Sequence, residues 1–192
     1  MMVDWLAGRR TGVAAERILD AAGRLFAEHG PDRVGMREIA HAAGCSRATL
    51  YRYFDSRDAL FTAWVHREAR RVYAGLTDRL AGVDDPRRRL TEGILGALRA
   101  VRENPALAAW FDHRSTIGGE VAERSAVITA MVRAFMAGLG ADSAERRARW
   151  LVRVITSLLL FPERDERAER ALLDEFVVPV LVPVRPPSTP AP

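Results

Sequence analysis

The sequence predicts an all-α protein with a small N-terminal and a larger C-terminal helical domain, and three observations support this prediction. Apolar residues recur at steps of three and four along most of the 192 residues, which is the spacing of one helix face. Glycine, proline and capping residues divide these stretches into separate helices. No strand-like alternation, internal repeat or Gly-rich phosphate loop occurs in the sequence.

The first helix is expected over 13–29, because its apolar residues share one face and Gly30-Pro31 ends it. Residues 1–12 are interpreted as a short arm whose two arginines can touch a minor groove or a phosphate. The alternative for this stretch is a frayed terminus. The first helix would support the next two helices from behind.

A helix-turn-helix is predicted between Arg37 and Phe54. Gly44 stands where the first of two short helices ends, a position that favours the left-handed conformation. Ser46 is placed to cap the second helix, which we expect over 46–54. Two short helices joined by a Gly-containing turn form a unit whose second helix fits a DNA major groove.

This segment and its flanks resemble the TetR family of transcriptional regulators over the N-terminal quarter of the chain. The matching stretches are LFAEHG (25–30), IAHAAG (39–44), LYRYF (50–54) and SRDAL (56–60). Gly35, Cys45 and Ala48 depart from the residues common at those family positions. Ala48 bears on how closely the backbone approaches DNA, so the base preference stays open.

The resemblance implies a DNA-binding domain over 1–60 and a helical effector-binding and dimerisation domain over 61–182. The Pro-rich tail, 183–192, is expected to be disordered. The implied partners are a double-stranded DNA operator, a second copy of the chain and an unidentified small molecule that releases the operator. Relatives are more often repressors than activators, and the sequence does not distinguish the two.

The predicted DNA contacts follow from residue type and from family position. The predicted residues are Arg37, Arg47, Ala48, Thr49, Tyr51, Arg52, Tyr53 and Arg57. Arg37 and Arg57 are expected to bind phosphates, so Arg57→Ala would weaken binding to all sequences alike and reduce its salt dependence. Arginine reads guanine with two hydrogen bonds and threonine contacts a thymine methyl, which makes Arg47, Thr49 and Arg52 candidate base readers. Both tyrosines offer a ring and a hydroxyl to a phosphate or a thymine methyl. Packing against helix one is the alternative for Tyr51, and a solvated side chain is the alternative for Arg52.

Positive charge is concentrated on the same segment. All basic residues are arginines, and the formal net charge is +4. Between Arg33 and Arg57 there are five arginines and two acidic residues, whereas from Ala81 onward there are sixteen and fifteen. Arginines solvate many helical surfaces, but this excess coincides with the motif that would face phosphates.

The rest of the chain is predicted to be helical. Helices are expected over about 56–80, 87–103, 106–111, 121–139, 142–161 and 163–178. The helix over 142–161 is apolar on nearly every side, so one face should pack on its own core and another on a second subunit. The alternative is the central helix of a monomeric bundle. The expected dimer interface consists of Trp150, Leu151, Val154, Ile155, Leu158, Leu172 and Phe176.

An effector site is predicted where aromatic and polar residues occur together in the C-terminal domain. The candidates are Trp110, Phe111, His113, Arg114, Met131 and Phe135. Trp110 and Phe111 have the core as their alternative, and His113 an ordinary place in a loop. Arg114 is suited to an acidic ligand or to an ion pair with Glu120.

Other classes of protein are disfavoured. The four histidines are scattered, no serine lies in a nucleophile elbow, and one cysteine, Cys45, supports packing more readily than a redox role. We therefore predict no enzyme, no cofactor and no metal site. No apolar run reaches 18 residues and no signal peptide begins the chain, so we expect a cytoplasmic protein without a membrane partner. A ligand-independent architectural DNA-binding protein remains the main alternative.

Overall fold

A computed structural model describes residues 5–111, 117–140 and 145–182, with only the backbone of 5–11. The described residues form helices and connecting turns, and no strand occurs among them, which confirms the all-α prediction. None of the helices in these ranges is long and apolar enough to cross a membrane. The predicted tail, 183–192, lies outside the described residues.

The helices follow one another along the chain with short connections. The first are α1 (Trp5–His29), a 3-10 turn (Pro31–Arg33), α2 (Met36–Ala42) and α3 (Arg47–Tyr53). They are followed by α4 (Arg57–Arg79), α5 (Pro86–Glu103), α6 (Pro105–Ala108) and a second 3-10 turn (Ala109–Phe111). Next come α7 (Ile117–Arg124), α8 (Ala126–Gly138) and α9 (Glu145–Leu160). The last are α10 (Glu166–Leu172), a π-helical turn (Leu173–Val177) and α11 (Val178–Leu181).

Several helix boundaries differ from the sequence-based expectation. Helix α1 begins at Trp5, so the described part of the expected arm is helical. The single helix expected over 121–139 is two helices, because the Ser125 hydroxyl accepts a hydrogen bond from the Ile128 N–H and starts α8 there. The helix expected from 163 begins at Glu166, where Asp165 caps the first turn.

The chain divides into two compact units. The first comprises the described parts of Met1–Arg71 and Val101–Val121, and the second those of Val72–Ala100 and Ala122–Pro192. This division by packing is distinct from the functional boundary that we predicted at residue 60. The difference arises because α4 and the segment after α6 contribute aromatic residues to the core of the first unit.

The core of the first unit is an aromatic cluster centred on Phe26 of α1. The Phe26 ring meets the rings of Phe61 and Trp64 edge-on, with centroids 4.8 Å and 5.1 Å away. Trp110 lies 5.3 Å from Phe26 and stacks on Trp64 at 5.5 Å. Edge-to-face and stacked pairs of this kind stabilise beyond the burial of their area. The cluster therefore holds the supporting helix α1 against α4.

The second unit has an aliphatic core drawn from α5, α8, α9 and the C-terminal helices. Its buried members include Leu90, Ile94, Leu98, Met136, Leu151, Leu158, Leu173, Val177 and Leu181. Helices α5 and α8 approach closely where a Cβ on Gly93 would lie 2.5 Å from the Phe135 ring. Thr91 donates a hydrogen bond of 2.6 Å to Asp174, which ties α5 to the π-helical turn.

Candidate nucleic-acid interface

The turn between α2 and α3 has the geometry that the sequence predicted. Gly44 adopts φ +67°, the left-handed conformation that glycine accepts without strain. Its N–H donates to His41 O at 3.0 Å, and the Cys45 N–H donates to Ala40 O at 3.0 Å. Together these bonds satisfy the last carbonyls of α2. The turn is therefore specified by local chemistry.

Ser46 starts α3 as an N-cap. Its Oγ accepts a hydrogen bond of 3.0 Å from the Thr49 N–H, which satisfies one of the exposed amides of the first turn. The Thr49 hydroxyl lies 2.9 Å from the same Oγ, so it has a partner within the protein. The cap therefore fixes both the start of α3 and the Thr49 side chain.

Helix α3 buries one side and exposes the other. Leu50 is fully buried and Phe54, immediately after the helix, is 8% exposed. The predicted contacts Arg47, Ala48, Tyr51 and Arg52 are all exposed. Their spacing of one, four and five residues places them on one side of the helix. The structure thus brings half of the predicted DNA-binding residues together on one accessible surface.

Tyr53 lies at the edge of this surface. It is half-buried, and the guanidinium carbon of Arg52 lies 5.5 Å from the centre of its ring. A cation at this distance is attracted to the face of an aromatic ring. Tyr53 therefore helps to orient Arg52 at the end of α3.

Arg37 is exposed but paired. Its Nε and Nη2 each lie 3.0 Å from Glu38 Oε1, on the solvent side of α2. Hydrogen bonds from the Glu38 backbone, and then from Arg37, hold the pKa of the Glu38 carboxyl below its usual value of 4.5. An exposed ion pair is weak and exchanges readily for another partner. Arg37 remains available to a phosphate.

Arg57, the other predicted phosphate contact, is engaged inside the protein. Its Nε donates to Val34 O at 3.0 Å and its Nη2 donates to Pro31 O at 2.7 Å. The guanidinium also lies over the Phe61 ring, 4.2 Å from the centroid. The structure thus gives Arg57 an internal partner set that the sequence did not reveal.

Arg17 of α1 is a contributor that sequence reasoning missed. Its Nη2 donates to Ala43 O at 3.3 Å, at the C-terminal end of α2. The acceptor is a backbone carbonyl 26 residues away, so no local pattern marks the pair. The bond joins the supporting helix to the helix-turn-helix.

In the part of the chain that the structure describes, no group of three His, Cys, Asp or Glu residues could hold a metal ion. Cys45 is a half-buried free thiol in the turn before α3.

The predicted effector residues are divided between the two units. Trp110, 1% exposed, belongs to the aromatic core of the first unit and offers no open surface to a ligand. Phe111 is half-buried in that unit, whereas Met131 and Phe135 are half-buried in the second. The remaining candidates, His113 and Arg114, lie outside the described residues. The burial of Trp110 favours the core alternative for this residue over a ligand contact.

The predicted dimer residues separate into three sets, which are buried, half-buried and exposed. Leu151 and Leu158 are buried in the core of their own protomer and present almost no surface to a partner. Val154, Ile155 and Leu172 pack at the margin of that core and are half-buried. Large apolar side chains remain exposed on α9 and on the segments that follow it. These are Trp150, Phe161, Phe176 and Val180.

Comparisons with known proteins agree with this architecture. Residues 18–64 match the family described as bacterial regulatory proteins, tetR family. An uncharacterised HTH-type transcriptional regulator of Mycobacterium tuberculosis, Rv1255c, is 59% identical over 94% of this chain and 91% of its own length. The M. tuberculosis HTH-type transcriptional repressor Rv1474c is 32% identical over 66% of this chain and 64% of its own. RolR, solved in complex with resorcinol, shares the fold with a TM-score of 0.71 at 20% identity, covering 91% of this chain and 90% of RolR.

Proposed function

The chain belongs to the TetR family of transcriptional regulators, and from this premise we propose that it is a dimeric repressor of a palindromic operator, released by a small molecule. Family members regulate transcription through DNA and are not enzymes. The proposed place of action is chromosomal DNA in the cytoplasm, with residues 1–60 forming the DNA-binding domain and 61–182 the effector and dimerisation domain.

The observation that carries the proposal is the exposed side of α3. Arg47, Ala48, Tyr51 and Arg52 stand on one side of a capped helix whose opposite side is buried through Leu50. An arginine in a major groove meets guanine O6 and N7 bidentately, and Ala48 permits close approach to the bases. Arg37, Thr49 and Tyr53 complete the proposed contact set at the edges of this surface.

Dimerisation is supported by the apolar side chains that α9 and the C-terminal helices leave exposed. Phe176 is 62%, Phe161 74% and Trp150 37% exposed. Exposed large apolar side chains that form a contiguous patch are typical of an interface with another protein. In a dimer, two copies of α3 would meet successive major grooves roughly 34–36 Å apart, which requires a two-fold related operator.

Effector release is proposed through α4, which contributes residues to both units. A ligand relieves repression only by binding one state of the protein more tightly than the other. The structure of RolR with resorcinol supports a fold that accepts a small molecule. Met131 and Phe135 stay as candidate contacts in the second unit. Repression is favoured over activation by the name of the relative Rv1474c.

The decisive experiment is selection of bound sequences from a random DNA pool, followed by footprinting of the enriched site. We expect a palindrome with half-sites about one helical turn apart. Matched variants Arg47→Ala and Arg52→Ala should lower affinity and relax preference at separate base pairs, each by roughly 1–3 kcal/mol. Binding that shows no enriched sequence and merely decreases with salt would favour the architectural alternative.

A further inference from the structure

We propose that Arg57 is a positioning residue that fastens the helix-turn-helix to α4, and that it does not act as a phosphate contact. This inference rests on the proposed function, because it concerns how that same surface is held for DNA. It replaces the role expected from the basic residue that relatives carry at this position. The observations are the direction of its donors, the packing of its guanidinium and the place of its acceptors in the fold.

Two of the three donor nitrogens of Arg57, Nε and Nη2, point into the protein. Nε donates to Val34 O at 3.0 Å, while Nη2 donates to Pro31 O at 2.7 Å and lies 3.5 Å from Asp32 O. All three acceptors are backbone carbonyls of the connection between α1 and α2, 23 to 26 residues away. Hydrogen bonds from a charged donor are the stronger kind. The guanidinium therefore holds the two ends of this connection, at Pro31 and Val34, against the start of α4.

The planar face of the Arg57 guanidinium also packs on an aromatic ring. It lies 4.2 Å from the centre of the Phe61 ring, and Phe61 is itself 3% exposed and packed against Phe26. A planar guanidinium stacks on an aromatic face as an ammonium cannot. Arg57 is therefore joined to the aromatic core of the first unit as well as to the connection.

The acceptors lie where they can fix the orientation of α2. Val34 is buried and immediately precedes Gly35, the N-cap of α2. Helix α2 in turn packs on α3, and Ile39 and Ala40 of α2 and Leu50 of α3 are buried. The path from Arg57 to the recognition helix is thus a series of direct contacts. Since Arg57 is the first residue of α4, a displacement of α4 would move the connection and α2 with it.

Arg57→Lys separates the two roles, because lysine keeps the charge but lacks the fork. Affinity for the selected operator and for a random duplex is measured as a function of salt for wild type, Arg57→Lys and Arg57→Ala. We expect both variants to lose at least tenfold on either DNA, with the slope against log salt unchanged. A phosphate contact would instead leave Arg57→Lys near wild type and reduce the slope of Arg57→Ala by about 0.9. Arg79→Lys, the same exchange at the exposed end of α4, serves as the control.

A second measurement uses the unmodified full-length protein and does not depend on a variant that folds. Nitrogen-15 NMR should find an Arg57 Nε–H that exchanges slowly with water before any DNA is added, at a frequency that DNA leaves nearly unchanged. An Nε–H that becomes protected only on addition of DNA would overturn the positioning role. If no discrete operator exists, the proposed function fails, while this signal still decides whether Arg57 holds the connection.

Discussion

At the scale of single residues, the start of helix α3 depends on Ser46. Its hydroxyl oxygen accepts the Thr49 N–H and also meets the Thr49 hydroxyl at 2.9 Å. A capping side chain satisfies an amide that would otherwise lack a partner at the helix start. The same oxygen therefore links the stability of α3 with the orientation of a predicted base contact.

Ser46→Ala should lower the free energy of unfolding by about 1 kcal/mol, because the first turn of α3 loses its cap. Urea denaturation of the full chain measures this change. Ser46→Asp is the matched control, since aspartate caps as well as serine and should restore stability. Equal stability of Ser46→Ala and wild type would show that the cap contributes nothing.

Gly118 is a position where an added Cβ atom would clash with the backbone of Trp110. A Cβ there would lie 2.2 Å from the backbone oxygen of Trp110, which cannot move independently of the chain. Gly118→Ala should therefore destabilise the protein by about 1–3 kcal/mol despite the better helix propensity of alanine.

Gly75→Ala is the matched control for this prediction. Gly75 lies inside α4, and its Cβ would meet nothing within 4 Å, so this change should stabilise by up to about 1 kcal/mol. Thermal unfolding should show a lower melting temperature for Gly118→Ala and a higher one for Gly75→Ala than for wild type. A stabilised Gly118→Ala would contradict the close approach of α7 to Trp110.

At the scale of elements, an ion-pair network joins α1 to α4. Arg67 lies 3.0 Å from Glu16 and 2.8 Å from Asp20 of α1, and 2.9 Å from Glu68 of its own helix. Burial disfavours the charge of Arg67, but the hydrogen bond with Glu16 and the charge of Glu68 outweigh it and raise the pKa of the guanidinium. The Arg67 side chain is only 11% exposed, so it depends on these partners.

Glu68→Ala should cost about 1–3 kcal/mol of unfolding free energy, because it leaves the largely buried Arg67, and the exposed Arg71, without their shared carboxylate. Glu16→Ala, which removes a half-exposed partner of the same arginine, should cost less than about 1 kcal/mol. Urea titrations of the two variants provide the comparison. If Glu16→Ala lost more unfolding free energy than Glu68→Ala, the ion pairs with α1 would contribute more to stability than the Glu68 carboxylate.

At the scale of the whole molecule, the two units carry different surfaces. The first exposes a basic side of α3, and the second exposes apolar side chains on α9 and after it. The first surface suits a polyanion and the second suits another apolar surface. The proposed dimer on a two-fold operator would use both surfaces.

Phe176→Glu should weaken self-association at least tenfold, because a carboxylate would be buried in the proposed interface. Sedimentation equilibrium measures the association, and operator affinity should decrease with it. Val13→Glu places the same charge at an equally exposed apolar position, 65% exposed, on α1. If both variants associate like wild type, the interface does not include Phe176.

The sequence by itself determined the features that depend on interactions between residues close together in the chain. The left-handed Gly44, the cap at Ser46 and the helix periods follow from chemistry within about one turn of chain, so the all-α class and the helix-turn-helix were predictable. Boundaries that depend on a single cap, such as Ser125, were missed because the apolar period continues through them.

Only the tertiary structure decided which side chains are buried and which distant residues they contact. The acceptors of Arg57 are backbone carbonyls remote in sequence, and a carbonyl carries no residue identity that a pattern could reveal. Helix α9 is apolar on nearly every side, so its period could not separate Leu151, which is buried in the core, from Trp150, which is exposed. Trp110 likewise belongs to the core of the first unit, because its ring packs against Phe26 and Trp64. Interactions between neighbouring residues determine where helices form, whereas contacts between distant segments determine which helices pack together.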